Sequence, residues 1–247
     1  MNNPCIAHRG WSGKAPENTF SAIRKAIEHP DIDMIELDVQ MSRDGIPVLM
    51  HDYTLERTTN GSGPVGAYTL QELKKLDAGA WFGEEFAGET IPALEEVLQM
   101  VKGKKKLNIE IKRAGGIYHG IEERVVALVH KYEMQSSVII TSFNHETIRE
   151  LSRLAPDLKR GLIIYGLPVL VNEQLEATGA TILSMCYPYL TKEFVYPLLD
   201  RGIECIAWTI DNPEHMQQVA MIDDRIAICT NNPDRWFNLQ GRICRNC

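Results

Sequence analysis

Short runs of β-branched and aliphatic residues alternate along this chain with stretches whose apolar positions recur every three to four residues. The strand-like runs cover residues 4–8, 32–40, 47–51, 106–112, 138–142, 161–165, 181–186, 202–210 and 225–230. The stretches between them carry helix-start signals. Asn18 stands ahead of Phe20, Ile23 and Ile27, which share a helical face. Thr69 and Glu72 form a capping box before Leu70, Leu73 and Leu76. Pro92 opens a stretch with Leu94, Val97, Leu98 and Val101 on one side. Ile121, Val125, Leu128 and Val129 mark a further helix, Asn144 caps another, and Asn212-Pro213 starts one more.

Nine strand-like runs are one too many for a (β/α)8 barrel, and chain reach identifies the extra one. Residues 40 and 47 are joined by six residues, whereas a parallel crossover needs a dozen or more. The run 47–51 must therefore return antiparallel, as a hairpin arm with Asp44-Gly45 in its turn. Eight strands then remain, each joined by a helical crossover. The predicted fold class is α/β, a (β/α)8 TIM barrel of residues 1–247 with a β-hairpin arm and a small insertion. The insertion, residues 52–91, is rich in glycine, holds one short helix, and is expected to lie over the barrel mouth.

A chain of 247 residues suits one such barrel. Its 26 basic and 33 acidic residues leave a net charge of −7, which argues against a nucleic-acid surface without excluding a local cationic pocket. The N-terminus MNNPCIAHRGW has no basic and apolar leader pattern, so a cytoplasmic location is expected. Cys5, Cys186, Cys205 and Cys229 lie in or beside apolar runs, as small hydrophobes do. Cys244 and Cys247 read as free thiols of a tail, because no second cysteine pair with zinc spacing accompanies them.

Barrel enzymes work at the C-terminal ends of their strands, and there the polar residues of this chain gather in the first half. Strand-period alternation turns Glu36 and Asp38 to the barrel interior, and Glu110 and Lys112 likewise. Three inward carboxylates repel one another unless a cation lies among them; oxygen ligands of this kind suit Mg²⁺ or Ca²⁺ rather than Zn²⁺. The plainer alternative is a salt-bridge network around Lys112. His8 and His51 end their strands beside this acidic cluster, where an imidazole can move protons at neutral pH. Arg9 can offer a fork to a phosphate. His29, His119, His130, His145 and His215 lack such company and are expected in solvated or capping roles.

The ordered set His8-Arg9-Gly10, Pro16-Glu17-Asn18-Thr19, Glu36-Leu37-Asp38-Val39, His51-Asp52, Glu110-Ile111-Lys112, Trp208-Thr209 and Thr230-Asn231-Asn232-Pro233-Asp234 resembles the glycerophosphodiester phosphodiesterase family. The likeness spans nearly the whole chain and is closest to the soluble bacterial cytosolic type. It implies a (β/α)8 barrel that hydrolyses glycerophosphodiesters such as glycerophosphocholine or glycerophosphoethanolamine to sn-glycerol 3-phosphate and an alcohol. Carried over by motif, Glu36, Asp38 and Glu110 hold one divalent cation, and His8 and His51 form the acid–base pair. Arg9 and Lys112 contact the phosphate, Glu17 supports the first motif and reaches toward substrate, and Trp208 walls the glycerol. Phe82, Ser142 and Phe143 are expected to line the pocket. The implied partner is the small substrate, with no nucleic acid and no stable membrane association; a homodimer is compatible. Attack by water and attack by the glycerol 2-hydroxyl are equally compatible with these residues. Two rivals are a related phospholipase C/D-like phosphodiesterase barrel and a non-catalytic barrel that binds a phosphorylated ligand.

Overall fold

The computed structural model describes residues 2–244. Its strands and helices follow in the order β1 (Cys5–Ala7), α1 (Phe20–Glu28), β2 (Met34–Met41), β3 (Pro47–Leu49), α2 (Leu70–Leu73), α3 (Leu94–Val101), β4 (Lys106–Ile111), α4 (Ile121–Lys131) and β5 (Val138–Ser142). Then come α5 (His145–Leu154), β6 (Lys159–Ile164), α6 (Val171–Thr178), β7 (Ile182–Cys186), α7 (Lys192–Asp200), β8 (Glu204–Trp208), α8 (Pro213–Ala220), β9 (Ala227–Thr230) and α9 (Pro233–Cys244).

Eight of these strands pair in parallel in the order β1-β9-β8-β7-β6-β5-β4-β2, and β1 pairs with β2 to close the barrel. β3 is the ninth strand and runs antiparallel to β2, with Val39 opposite Leu49 and Met41 opposite Pro47. It fits there because β1 pairs only with Met34 and Ile35, leaving the upper edge of β2 free. The reach argument from six linking residues therefore gives the observed topology.

Alternation along the strands separates two apolar regions. Ile35, Leu37, Val39, Ile109 and Ile111 face outward into the main core, against the helices. Ile6, Ile139, Ile182, Ile206 and Cys229 fill the barrel interior and form its floor. Above that floor the interior positions become polar, so the strand ends carry chemistry on a packed base.

Helix starts agree with the pattern except at two places. The cap of α1 is Thr19, whose Oγ1 accepts from the Ala22 backbone, and not Asn18. Asn18 instead takes a left-handed backbone, φ 58°, and turns its amide to Asp38. α3 begins two residues after Pro92, with Ala93 at its cap. The helices α6, α7 and α9 carry no start signal singled out from the sequence.

The insertion builds a small core of its own. Leu55, Val65, Leu73, Ala78 and Ile91 pack on Val48 and Met50 of the hairpin arm. Its far end meets α1, where Ser21 donates to Glu89. Cys5, Cys186, Cys205 and Cys229 are buried free thiols. The expectation for the Cys244/Cys247 pair concerns residues that lie in part outside those described.

Candidate active site

The turn after β1 begins the site. Gly10 has φ +78°, and a Cβ there would lie 2.7 Å from the Ala22 carbonyl carbon, so only glycine lets α1 approach. Arg9 is also left-handed at φ 57°, an uncommon state for a side-chain-bearing residue. Two bonds hold it: its N–H donates to Glu36 Oε2 at 2.9 Å, and its carbonyl accepts from Asn18 N at 3.0 Å.

Both histidines expected at the site have their Nδ1 atoms anchored. His8 Nδ1–H donates to Asn231 Oδ1 at 2.7 Å. The direction follows because Asn231 Nδ2 donates to Asp211 Oδ2 at 2.7 Å, which leaves the amide oxygen toward His8. Ser12 Oγ donates to the same amide oxygen at 2.7 Å. His51 Nδ1–H donates to Asp52 Oδ1 at 2.6 Å, since a carboxylate can only accept. Each ring therefore keeps Nε2 available, and the Nε2 of His8 lies 3.8 Å from Glu36 Oε2. Burial, helped by Arg9, pushes the His8 imidazole down to about 4, so it is neutral at pH 7. Burial also lowers His51, against the pull of Asp38 in the other direction.

Glu36, Asp38 and Glu110 are buried, and each offers an oxygen within 4.8 Å of the others. Lys112 Nζ lies 2.6 Å from Glu110 Oε1 and 3.0 Å from Asp38 Oδ1, while Arg9 Nε lies 3.1 Å from Asp38 Oδ2. The salt-bridge network foreseen as the alternative is thus present for Asp38 and Glu110. It leaves out Glu36, whose Oε1 is buried without a partner. The charges follow this division. Burial would raise Asp38, but Lys112 and Arg9 outweigh it and hold the carboxyl well below its ordinary range. Burial, then repulsion from Asp38 and Glu110, raises Glu36 well above its ordinary range. Burial lifts Glu110 to about 7 despite Lys112. A partnerless carboxylate oxygen among all-oxygen donors is the environment a hard divalent cation relieves, so the residues present fit such an ion.

Two connected spaces meet at this cluster. The inner cavity, about 110 Å³, is bounded by His8, Arg9, Glu36, Ser184, Trp208 and Cys229 among others. The outer groove, about 840 Å³, opens past Tyr53, Arg113, Phe143 and His145. His51, Glu110, Lys112 and Phe143 border both. Phe143 meets Trp208 edge to face at 5.6 Å, and Lys112 Nζ stands 5.8 Å from the Phe143 ring.

Among the residues singled out from the sequence, the structure gathers His8, Arg9, Glu36, His51, Glu110, Lys112, Phe143 and Trp208 around the inner cavity, with Asp38 beneath Arg9 and Lys112. Three stand elsewhere. Glu17 does not border either space; it accepts from Arg9 Nη1 and from Arg57. Ser142 is fully buried, its Oγ donating to Ile111 O and accepting from Asn144 N, so it shapes the β5–α5 turn rather than the pocket. Phe82 packs edge to face on Trp81 and Phe86 within the insertion and lines neither space. His145, expected in a solvated or capping role, borders the outer groove and contacts Ile163 O at 3.2 Å. Sequence reasoning missed Asp211, Arg57 and Tyr53. Asp211 acts through Asn231, 20 positions away, and Arg57 joins Asp52, five positions away, to Glu17, 40 positions away; no local spacing signals either link. Tyr53 stands two residues beyond His51, and that position was the available clue.

A cation-fitting carboxylate trio, two Nδ1-anchored imidazoles and two cationic side chains at a barrel mouth define a phosphoric diester hydrolase of the (β/α)8 class. The chain belongs to the glycerophosphoryl diester phosphodiesterase family, whose model matches residues 8–235. It is 42% identical over 245 residues to a glycerophosphodiester phosphodiesterase of Caldanaerobacter subterraneus, covering 97% of this chain and 98% of that one. It is 34% identical to a glycerophosphodiester phosphodiesterase of Bacillus subtilis, covering 95% and 85% of the two chains. An Oleispira antarctica phosphodiesterase solved in complex with the product sn-glycerol-3-phosphate superposes with a TM-score of 0.91 at 30% identity, covering 96% of each chain. Among the described residues, no helix is long and apolar enough to cross a membrane.

Proposed function

We propose that the chain hydrolyses glycerophosphodiesters, such as glycerophosphocholine and glycerophosphoethanolamine, to sn-glycerol 3-phosphate and the free alcohol. The observation that carries this reading is the pair of imidazoles, both with Nε2 available, beside one buried carboxylate trio. The sn-glycerol-3-phosphate held by the Oleispira antarctica phosphodiesterase supports it.

Glu36, Asp38 and Glu110 would hold one divalent cation, Mg²⁺ or Ca²⁺. When bound, that ion supplies positive charge against the phosphodiester and the crowded transition state. Arg9 and Lys112 add cationic donors to the same phosphate, each kept in place by Asp38. Trp208 and Phe143 form the apolar wall for the glycerol carbons.

Placement supports a division of the acid–base roles. His8 borders only the inner cavity, where the attacking hydroxyl would stand, and burial keeps it neutral. It is assigned as the base, taking a proton at Nε2 from the glycerol 2-hydroxyl or a water. His51 borders the outer groove as well, on the side where the alcohol would depart, and Asp52 stabilises its imidazolium. It is assigned as the acid, protonating the leaving oxygen from Nε2.

The test is a panel of glycerophosphodiesters assayed for released glycerol phosphate, with and without chelator. Release that depends on a divalent cation supports the reading. No release from any diester with Mg²⁺ or Ca²⁺ present would sink it.

A further inference from the structure

Arg57 lies six residues beyond His51, at the start of the insertion, and none of the motifs that marked the site includes it. Its guanidinium engages two carboxylates at once. Nε donates to Asp52 Oδ2 at 2.6 Å and Nη2 to Asp52 Oδ1 at 2.9 Å. Nη2 also donates to Glu17 Oε1 at 2.7 Å, and Nη1 to Glu17 Oε2 at 2.8 Å. Each carboxylate has one further partner in the site. Asp52 Oδ1 accepts from His51 Nδ1–H at 2.6 Å, and Glu17 Oε1 accepts from Arg9 Nη1 at 2.7 Å. An unbroken line of paired groups thus runs His51–Asp52–Arg57–Glu17–Arg9.

A lone exposed ion pair contributes little, but a planar fork that meets two carboxylates bidentately fixes orientation as well as charge. We infer that Arg57 is a positioning residue that ties the rotamer of His51 to that of Arg9. The proton donor and the phosphate contact are then held in one register by a single side chain of the insertion. The inference rests on the roles given to His51 and Arg9 above. Without the guanidinium, Asp52 and Glu17 are two carboxylates with no common partner. Asp52 is then free to turn to solvent and release His51 Nδ1–H, and Glu17 no longer braces Arg9 against the pull of Asp38. Lysine is no substitute, because one ammonium cannot present coplanar N–H groups to both carboxylates.

The side chain of Arg57 is 44% exposed, so a small cation can reach its place. The experiment compares the full chain, loaded with divalent cation, as wild type, Arg57→Ala and Arg57→Lys. Turnover of glycerophosphocholine is measured with and without millimolar guanidinium, against sodium chloride of equal ionic strength. The expected loss for Arg57→Ala is about 10²-fold in kcat/KM, the scale of a misplaced reacting group, shared between kcat and KM. Guanidinium restores at least about tenfold of it, and Arg57→Lys stays near the alanine level. A second readout needs no turnover: the proton resonance of His51 Nδ1–H, shifted by its bond to Asp52, is lost in Arg57→Ala and returns with guanidinium.

A folded Arg57→Ala variant with kcat and KM within about twofold of wild type would overturn the inference, since a merely structural arginine lowers only the melting temperature. A loss that guanidinium does not reverse would overturn it too. If the alanine variant does not fold, Arg57→Lys is judged by the same kinetic and imidazole criteria. Absence of wild-type turnover defeats the assigned function, and the imidazole proton then decides the clamp alone.

Discussion

At the mouth of this barrel, β1, β2 and β4 and the turns after β1 and β4 carry charge, whereas β5, β6 and β8 lead into aromatic surface. On the charged side, His8, Arg9, Glu36, Asp38, Glu110 and Lys112 are each held by hydrogen bonds or ion pairs to named partners. On the aromatic side, Phe143, Tyr165 and Trp208 touch edge to face or tilted, at 5.6 and 6.2 Å. Phe143 and Tyr165 are exposed, at 49% and 71%. The first side places individual atoms; the second offers shape. The difference teaches that a barrel can divide its labour by strand, with reacting groups oriented by directional bonds and the substrate's carbon skeleton met by non-directional packing. Removing a group from the charged side should therefore change rate, and removing one from the aromatic side should change binding.

The largest expected effect sharpens that division. Glu36→Gln, or chelation of the wild type, should lower turnover by at least about 10³-fold, the scale of several kcal/mol of charge stabilisation. Calorimetry should show Mg²⁺ or Ca²⁺ affinity lost in the variant while circular dichroism stays unchanged. Full activity of a rigorously metal-free preparation would break the charged half as described.

Next come the imidazoles. His8→Ala and His51→Ala should each lose roughly 10²–10⁴-fold in kcat, and the double variant less than the product of the two. Strictly multiplicative losses in single-turnover assays would mean that the two do not act in one step.

The aromatic half is probed by Trp208→Ala. Its KM should rise about tenfold, the equivalent of about 1.4 kcal/mol, with kcat within about threefold. A fall in kcat with unchanged KM would erase the contrast between the halves.

A smaller effect concerns pH. The Arg57 hydrogen bonds, aided by His51, depress the Asp52 carboxyl to about 2. A depressed carboxyl contributes stability that is fully present above its unfolded value near ~4, and loses it as pH falls toward the folded value. Melting temperatures of wild type and Asp52→Asn should therefore differ at pH 6 and converge on acidification between about 4 and 2. A gap that widens on acidification contradicts this sign.

The smallest effects test residues that the structure removes from the pocket. Ser142→Ala should lower stability by about 1 kcal/mol through its lost turn bonds, and Phe82→Ala should act within the insertion. Both should leave kcat/KM within about twofold, checked on glycerophosphocholine with folding monitored by melting.

The chain by itself determined the strand count, the hairpin arm and the inward carboxylates, because period and reach are local quantities. Alternation every two residues decides which face Glu36 and Asp38 take, and six residues cannot cross over a sheet. The motifs around His8, His51 and Glu110 were legible for the same reason: each is a short string at a strand end. Asn18 shows where local reasoning stops, since its residue type suits a helix cap and its side chain is spent on Asp38, 20 positions away. Ser142 and Phe82 show it again, because whether a loop side chain faces a cavity or the turn beneath it is a matter of packing. The support of His8 by Asn231 spans 223 positions, and that of Glu17 by Arg57 spans 40. Only barrel closure, which sets β1 beside both β2 and β9, and the folding of the insertion back onto the β1–α1 turn bring those partners together. Hydrogen bonds depend on positions to within a fraction of an ångström, and such positions exist only once distant segments have packed.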